Sequence, residues 1–132
     1  MEQVFMVILA VFIAHCLGDF PLQGTYLAEK KSESAYLLIC HSVIVSGCVM
    51  FTIWGLSILD LIARIDLHTG CSIMVILLVT HCMIDLIKIT FNKIYHAKFP
   101  EDRSGNSGYY ILYMDQALHI IVYAFILIRF CF

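Results

Sequence analysis

Apolar residues fill four long runs of this 132-residue chain, broken by short polar or breaker-rich stretches. The first runs from Val4 to Phe20 and ends at Pro21. The second follows the polar stretch Glu29-Lys30-Lys31-Ser32-Glu33-Ser34, where Ser34 is placed to cap a helix, and spans about 35–59. Its tail, Leu56 to Leu67, carries Asp60, Arg64 and Asp66 among apolar residues and reads as an interfacial amphipathic turn. The third run covers about 70–95, from Gly70 to Tyr95, and the fourth 109–132, from Tyr109 to Phe132. Between them Pro100 to Gly108 has the Pro, Gly, Ser and Asn content of a loop. Each run is close to the roughly 20 residues that cross about 30 Å of hydrocarbon as a helix, and lipid leaves no partner for open backbone groups. The pattern predicts an all-α fold, an integral membrane four-helix transmembrane bundle forming one domain over 1–132.

Composition supports that solvent. The chain is 61% hydrophobic and 14% charged, against about half apolar and a quarter charged in soluble domains, and a water-soluble fold this small buries too little surface to hide the difference. A net charge of −2 excludes a nucleic-acid partner, which needs a basic face. The six cysteines lie inside apolar runs, unlike a secreted disulfide framework. Met1-Glu2-Gln3 lacks a positive leader region, so the first run reads as a retained span.

Lysine and arginine set the expected orientation. Lys30 and Lys31 follow the first span, and Lys88, Lys93, Lys98 and Arg103 follow or end the third, whereas Arg64 and Arg129 fall on the other side. The basic loops are expected in the cytoplasm and both termini outside. Cys71 and Cys131 then share the outer face, where an oxidised bridge is expected.

Inside the spans stand His15 and Asp19, His41, His81 and Asp85, and Asp115 and His119. Two pairs read His-x-x-x-Asp and one reads Asp-x-x-x-His. Such spacing puts both side chains on one helix face, and the reversal in the outward-running fourth span brings every carboxylate to one layer, with the imidazoles about 6 Å deeper. His41, two turns into the second span, reaches the same zone. A carboxylate at the centre of a membrane helix costs about 2.5–3.5 kcal/mol, so these groups are expected to face one another. Three readings are open: a hydrogen-bonded clasp, a proton or ion relay, and a metal site of the kind bundle proteins build in their cores. The metal reading leads, with His15, Asp19, His41, His81, Asp85, Asp115 and His119 as ligands. Mixed nitrogen and oxygen donors suit zinc first, then manganese or iron.

Other polar residues carry less. Gln23 could donate to a substrate oxygen or cap a turn. His68 and His96 read as solvated loop residues. Cys16, Cys40 and Cys82 each adjoin a site histidine but point about 100° away, which suits packing. Lys30, Lys31, Lys88 and Lys93 read as positive-inside residues.

His15-Cys-Leu-Gly-Asp19-Phe20-Pro-Leu-Gln23, Ala28-Glu-Lys-Lys31 and Leu38-Ile-Cys-His41 resemble the opening motif of the bacterial and phage membrane proteins grouped as domain of unknown function 3307. Thr80-His81-Cys-Met-Ile-Asp85-Leu-Ile-Lys88 and Asp115-Gln116-Ala-Leu-His119 are similar to its later motifs, in the same order. The resemblance implies a bacterial inner-membrane location and a shared role for the histidines and aspartates. It names no substrate.

The leading functional expectation is a metal-dependent hydrolase acting on a lipid or lipid-linked substrate at the cytoplasmic face, with Asp19 or Asp85 as general base and Gln23 as substrate donor. The rivals are a metal ion or proton transporter and a non-catalytic, phage-encoded membrane factor. A transporter needs polar groups through the outer half, and Val4 to Ile13, Ile73 to Val79 and Ile120 to Ile128 have almost none.

Overall fold

The computed structural model describes residues 2–99 and 106–132, without the side chains of 106–108. Most of the breaker-rich stretch Pro100 to Gly108, with Arg103, lies outside the described residues; its last part, 106–108, is already helical. The chain is all-helical: α1 (Glu2–Leu17), a π-helical turn (Gly18–Leu22), α2 (Gly24–Lys30), α3 (Ala35–Ile58), α4 (Leu67–Lys98) and α5 (Asn106–Phe130). Among the described residues four segments are long and apolar enough to cross a membrane: Glu2–Leu22, Ala35–Ile58, Leu67–Lys98 and Tyr109–Phe130.

Boundaries differ from the hydropathy reading where local hydrogen bonding decides them. Pro21 does not end the first span. The wider π turn carries the helix through it, which suits a residue with no N–H to give. Glu29 and Lys30, expected in a loop, finish α2. Ser34 does occupy the N-cap position of α3 in extended backbone, but its hydroxyl caps nothing, and only its carbonyl is engaged, by Leu38 N at 3.0 Å. Helix α4 starts three residues before Gly70, because the Asp66 carboxylate accepts the Thr69 N–H at 2.7 Å. That bond holds the Asp66 carboxyl below its usual range. His68 and His96 therefore lie on the first and last turns of α4 rather than in loops, and both are exposed.

The segment read from the sequence as an interfacial amphipathic turn is a turn between α3 and α4, after α3 has run on to Ile58. Ser57 Oγ donates to Ala63 O and accepts from Ile65 N, Asp60 takes a positive φ of 55°, and Ile62 is buried. Gln3 Nε2 donates to Leu61 O at 2.7 Å and Ala63 N to Cys131 O at 2.9 Å. These bonds bring the start of α1, the end of α5 and the α3–α4 turn to one end of the bundle.

Helix α1 packs on α3 and α5, and α4 packs on α3 and α5, closing a ring with α1 diagonal to α4. Each long helix buries one stripe at a spacing of four: Val7, Val11 and His15 on α1, continued by Asp19 in the π turn; His41, Val45, Val49 and Ile53 on α3; Ile73, Leu77, His81 and Asp85 on α4; Asp115, His119, Tyr123 and Leu127 on α5. Toward the end away from the termini the stripes turn to histidine, and in the first span, α4 and α5 then to aspartate. Large apolar residues on the opposite faces, among them Phe51, Val75, Ile121 and Phe125, are exposed, as lipid allows.

Candidate metal centre

The site grows from the four stripes where they change from aliphatic to polar. His15, His41, His81 and His119 and Asp19, Asp85 and Asp115 are all at most 3% exposed. All seven polar positions singled out in the sequence thus come together. Three imidazoles form the inner layer: ring centroids lie 4.5 Å apart for His15 and His119, 4.6 Å for His81 and His119, and 5.4 Å for His15 and His81. His41 sits with the carboxylates instead, its Nε2 at 3.2 Å from Asp19 Oδ1, 3.1 Å from Asp85 Oδ2 and 3.1 Å from His81 Nε2. His81 thereby belongs to two sets, His15/His81/His119 and Asp19/His41/His81, in each of which the donor atoms lie within 4.8 Å of one another. Asp85 adjoins the second set, 3.8 Å from His81 Nε2.

The ring nitrogens of the inner layer are held in a way that frees one donor from each ring. His119 Nδ1 bonds the Asp115 carbonyl at 2.9 Å, which requires the proton on Nδ1 and leaves a lone pair on Nε2. His15 Nδ1 pairs with the Tyr123 hydroxyl at 2.8 Å. Among the described residues His15 Nε2, His119 Nε2 and His81 Nδ1 are buried without a hydrogen-bond partner, as is His41 Nδ1 beside them. Buried nitrogens of this kind cost about 1–3 kcal/mol each if left unmatched, and a ligating histidine commonly has its other nitrogen engaged by a carbonyl or similar group. The donor set therefore fits a divalent metal.

Lysines complete the electrostatics: Lys31 and Lys88, read from the sequence as positive-inside residues, also pair with the carboxylates of the site. Lys31 Nζ lies 3.1 Å from Asp85 Oδ2 and 3.4 Å from Asp19 Oδ1. Lys88 Nζ lies 2.7 Å from Asp115 Oδ2 and 4.0 Å from Asp85 Oδ1. The available sequence signal was Asp85-x-x-Lys88, a spacing that shares a helix face; Lys31 had none beyond its place in a motif. Tyr123 was also missed, although Asp115, His119 and Tyr123 repeat at four. Gln116 Nε2 donates to Asp115 Oδ2 at 3.1 Å.

Other expectations resolve plainly. Gln23 Nε2 donates to the Asp19 carbonyl. Cys16, Cys40 and Cys82 are half-buried and free. The expected bridge is not formed: Cys71 is exposed, Cys131 is buried, and both are free thiols. The carboxylate end of the site faces away from the apolar half, where Val11, Val49, Ile73, Ile126 and Leu127 are fully buried.

No curated protein and no solved structure matches the chain significantly. The family model described as "Protein of unknown function (DUF3307)" matches residues 7–131, a stretch that holds every histidine and aspartate of the site and both lysines beside it, and the chain belongs to that family.

Proposed function

We propose that this chain is a membrane-embedded metal-binding protein, a metal-dependent hydrolase acting on a lipid or lipid-linked substrate at the cytoplasmic face of a bacterial inner membrane. The observation that carries the reading is the trio of buried, unpartnered imidazole nitrogens on His15, His81 and His119, with the opposite nitrogens of His15 and His119 fixed by Tyr123 and the Asp115 carbonyl. Zinc is the first choice for such donors, with manganese or iron next. A divalent ion held there supplies Lewis acidity and lowers the pKa of water toward about 7. Asp19 and Asp85, one turn away, accept protons, and the Lys31 ammonium steadies them as anions. Asp115 positions rather than reacts, because Lys88 and Gln116 hold its carboxylate and His119 holds its carbonyl.

Transport is the weaker reading. A permeating ion needs polar steps through the bundle, and the half beyond Tyr123 is filled by aliphatic side chains. A non-catalytic clasp has one observation in its favour: Lys31 and Lys88 already pair with the three carboxylates.

Metal analysis of protein purified in detergent without added ions tests the proposal, joined to mass spectrometry of membrane lipids incubated with the metal-loaded protein. Stoichiometric metal that falls in His81→Ala and His119→Ala, together with their melting temperatures, is the expected result, because a bound ion stabilises the folded state by mass action. The exposed His68 and His96 serve as controls whose Ala variants keep both. A well-folded parent carrying no metal, with His81→Ala melting at the same temperature, overturns the metal site. Bound metal with no lipid product overturns the hydrolase.

A further inference from the structure

One cation is already built into the carboxylate end of the site. The Lys31 ammonium stands 3.0 Å from His41 Nε2, 3.1 Å from Asp85 Oδ2 and 3.4 Å from Asp19 Oδ1, on a side chain only 12% exposed. The same donors crowd one another, with His41 Nε2 at 3.1 to 3.2 Å from Asp19 Oδ1, Asp85 Oδ2 and His81 Nε2. Two ligands bound tetrahedrally to one zinc at about 2.0–2.1 Å lie about 3.3 Å apart. The buried atoms around His41 therefore stand at the spacing of neighbours in a coordination shell, and a lysine nitrogen supplies the positive charge.

We infer that the Asp19–His41–Asp85 end is a second divalent-cation position, filled by the tethered ammonium of Lys31. It is separate from the His15/His81/His119 position of the proposed function and is decided by a separate count. A donor set of two carboxylates and an imidazole, with His81 adjacent, suits zinc or manganese. Lys31 is the C-cap of α2, a helix with no buried residue whose first residue, Gly24, takes a φ of 66° that a side chain would resist. A cavity of about 300 Å³, lined by Lys31 with Ser34, Leu38, Cys82 and Lys93, lies beside it and gives a displaced side chain room.

The test counts metal in full-length protein in detergent, stripped with chelator, reloaded with zinc chloride and desalted. The parent should bind one zinc per chain and Lys31→Met two, the second disappearing when Asp85→Asn is added. Lys31→Arg, which keeps the charge, should stay at one. Metal-free Lys31→Met should melt below the parent, and zinc should raise its melting temperature by more than it raises the parent's. An equal count in parent and Lys31→Met overturns the inference, as does a parent that binds two. If Lys31→Met fails to fold even with zinc present throughout purification, the inference also falls, because the ion should replace the missing charge. A parent with no zinc and a Lys31→Met that binds one, removable by Asp85→Asn, upholds the second position and refutes the imidazole triad.

Discussion

Gly18 is where packing and site geometry are tied most tightly, and Gly18→Ala should damage both. A Cβ at Gly18 would meet the Val45 Cα at 2.9 Å, with the Val45 Cβ and Cγ1 at 3.4 Å. Ordinary contact at a Cβ begins at 3.4 Å, so the first span and α3 must separate by at least about 0.5 Å, and a backbone atom has no rotamer by which to yield. Overpacking of this kind costs about 1–3 kcal/mol. Removing a helical glycine returns about 0.5–1 kcal/mol, which leaves a net loss of up to about 2.5 kcal/mol, centred on about 1 kcal/mol, and a melting temperature lower by several degrees. The shift also lands on the site, since Asp19 is the next residue and His41 lies one turn before Val45, their contact being 3.2 Å. Gly47→Ala on α3 is the control. Nothing lies within 4 Å of a Cβ there, so it should match or exceed the parent by up to about 1 kcal/mol. Thermal unfolding in detergent, followed by circular dichroism, reads both. A Gly18→Ala protein that melts at or above the parent would refute the close approach of the two backbones.

Asp19→Asn and Asp85→Asn should each retain the bound metal while lipid hydrolysis falls by about 100-fold or more, as for a lost general base; metal lost along with activity would instead make the carboxylate a ligand. Burial pushes the Cys131 thiol up to about 11, so at pH 8 it is neutral and slow toward maleimide, while the exposed Cys71 reacts at once. Labelling of Cys131 should become appreciable only on unfolding or as pH approaches 11, and equal labelling of the two in native protein at pH 8 would contradict the packed end of α5. A reporter fused after Phe132 should be active only if it works outside the cytoplasm. Cytoplasmic activity would invert the bundle and move the carboxylate layer to the other face.

Hydropathy alone placed the four spans and the all-helical class, because lipid solvates side chains by polarity and leaves helices as the economical way to close backbone hydrogen bonds. The four-residue spacing of His15 with Asp19, His81 with Asp85 and Asp115 with His119 placed the polar site as well, since a helix turns residues at that spacing onto one face whatever packs against it. Core and lipid faces were not legible in the same way. Val11 is fully buried and Met6 exposed on the same helix, yet both are apolar, because in a membrane the two environments select the same residues. Local backbone chemistry set the ends, through Asp66 at the start of α4 and the π turn around Pro21. The roles of Lys31 and Gly18, and the pairing of Lys88 with Asp115 across two helices, were decided by the tertiary structure alone. A lysine near the end of a span is satisfied equally by water, a head group or a buried aspartate, and a glycine is required only where another backbone comes within reach. Those choices depend on which helices are neighbours, and neighbourhood is a property of the packed bundle rather than of any one segment.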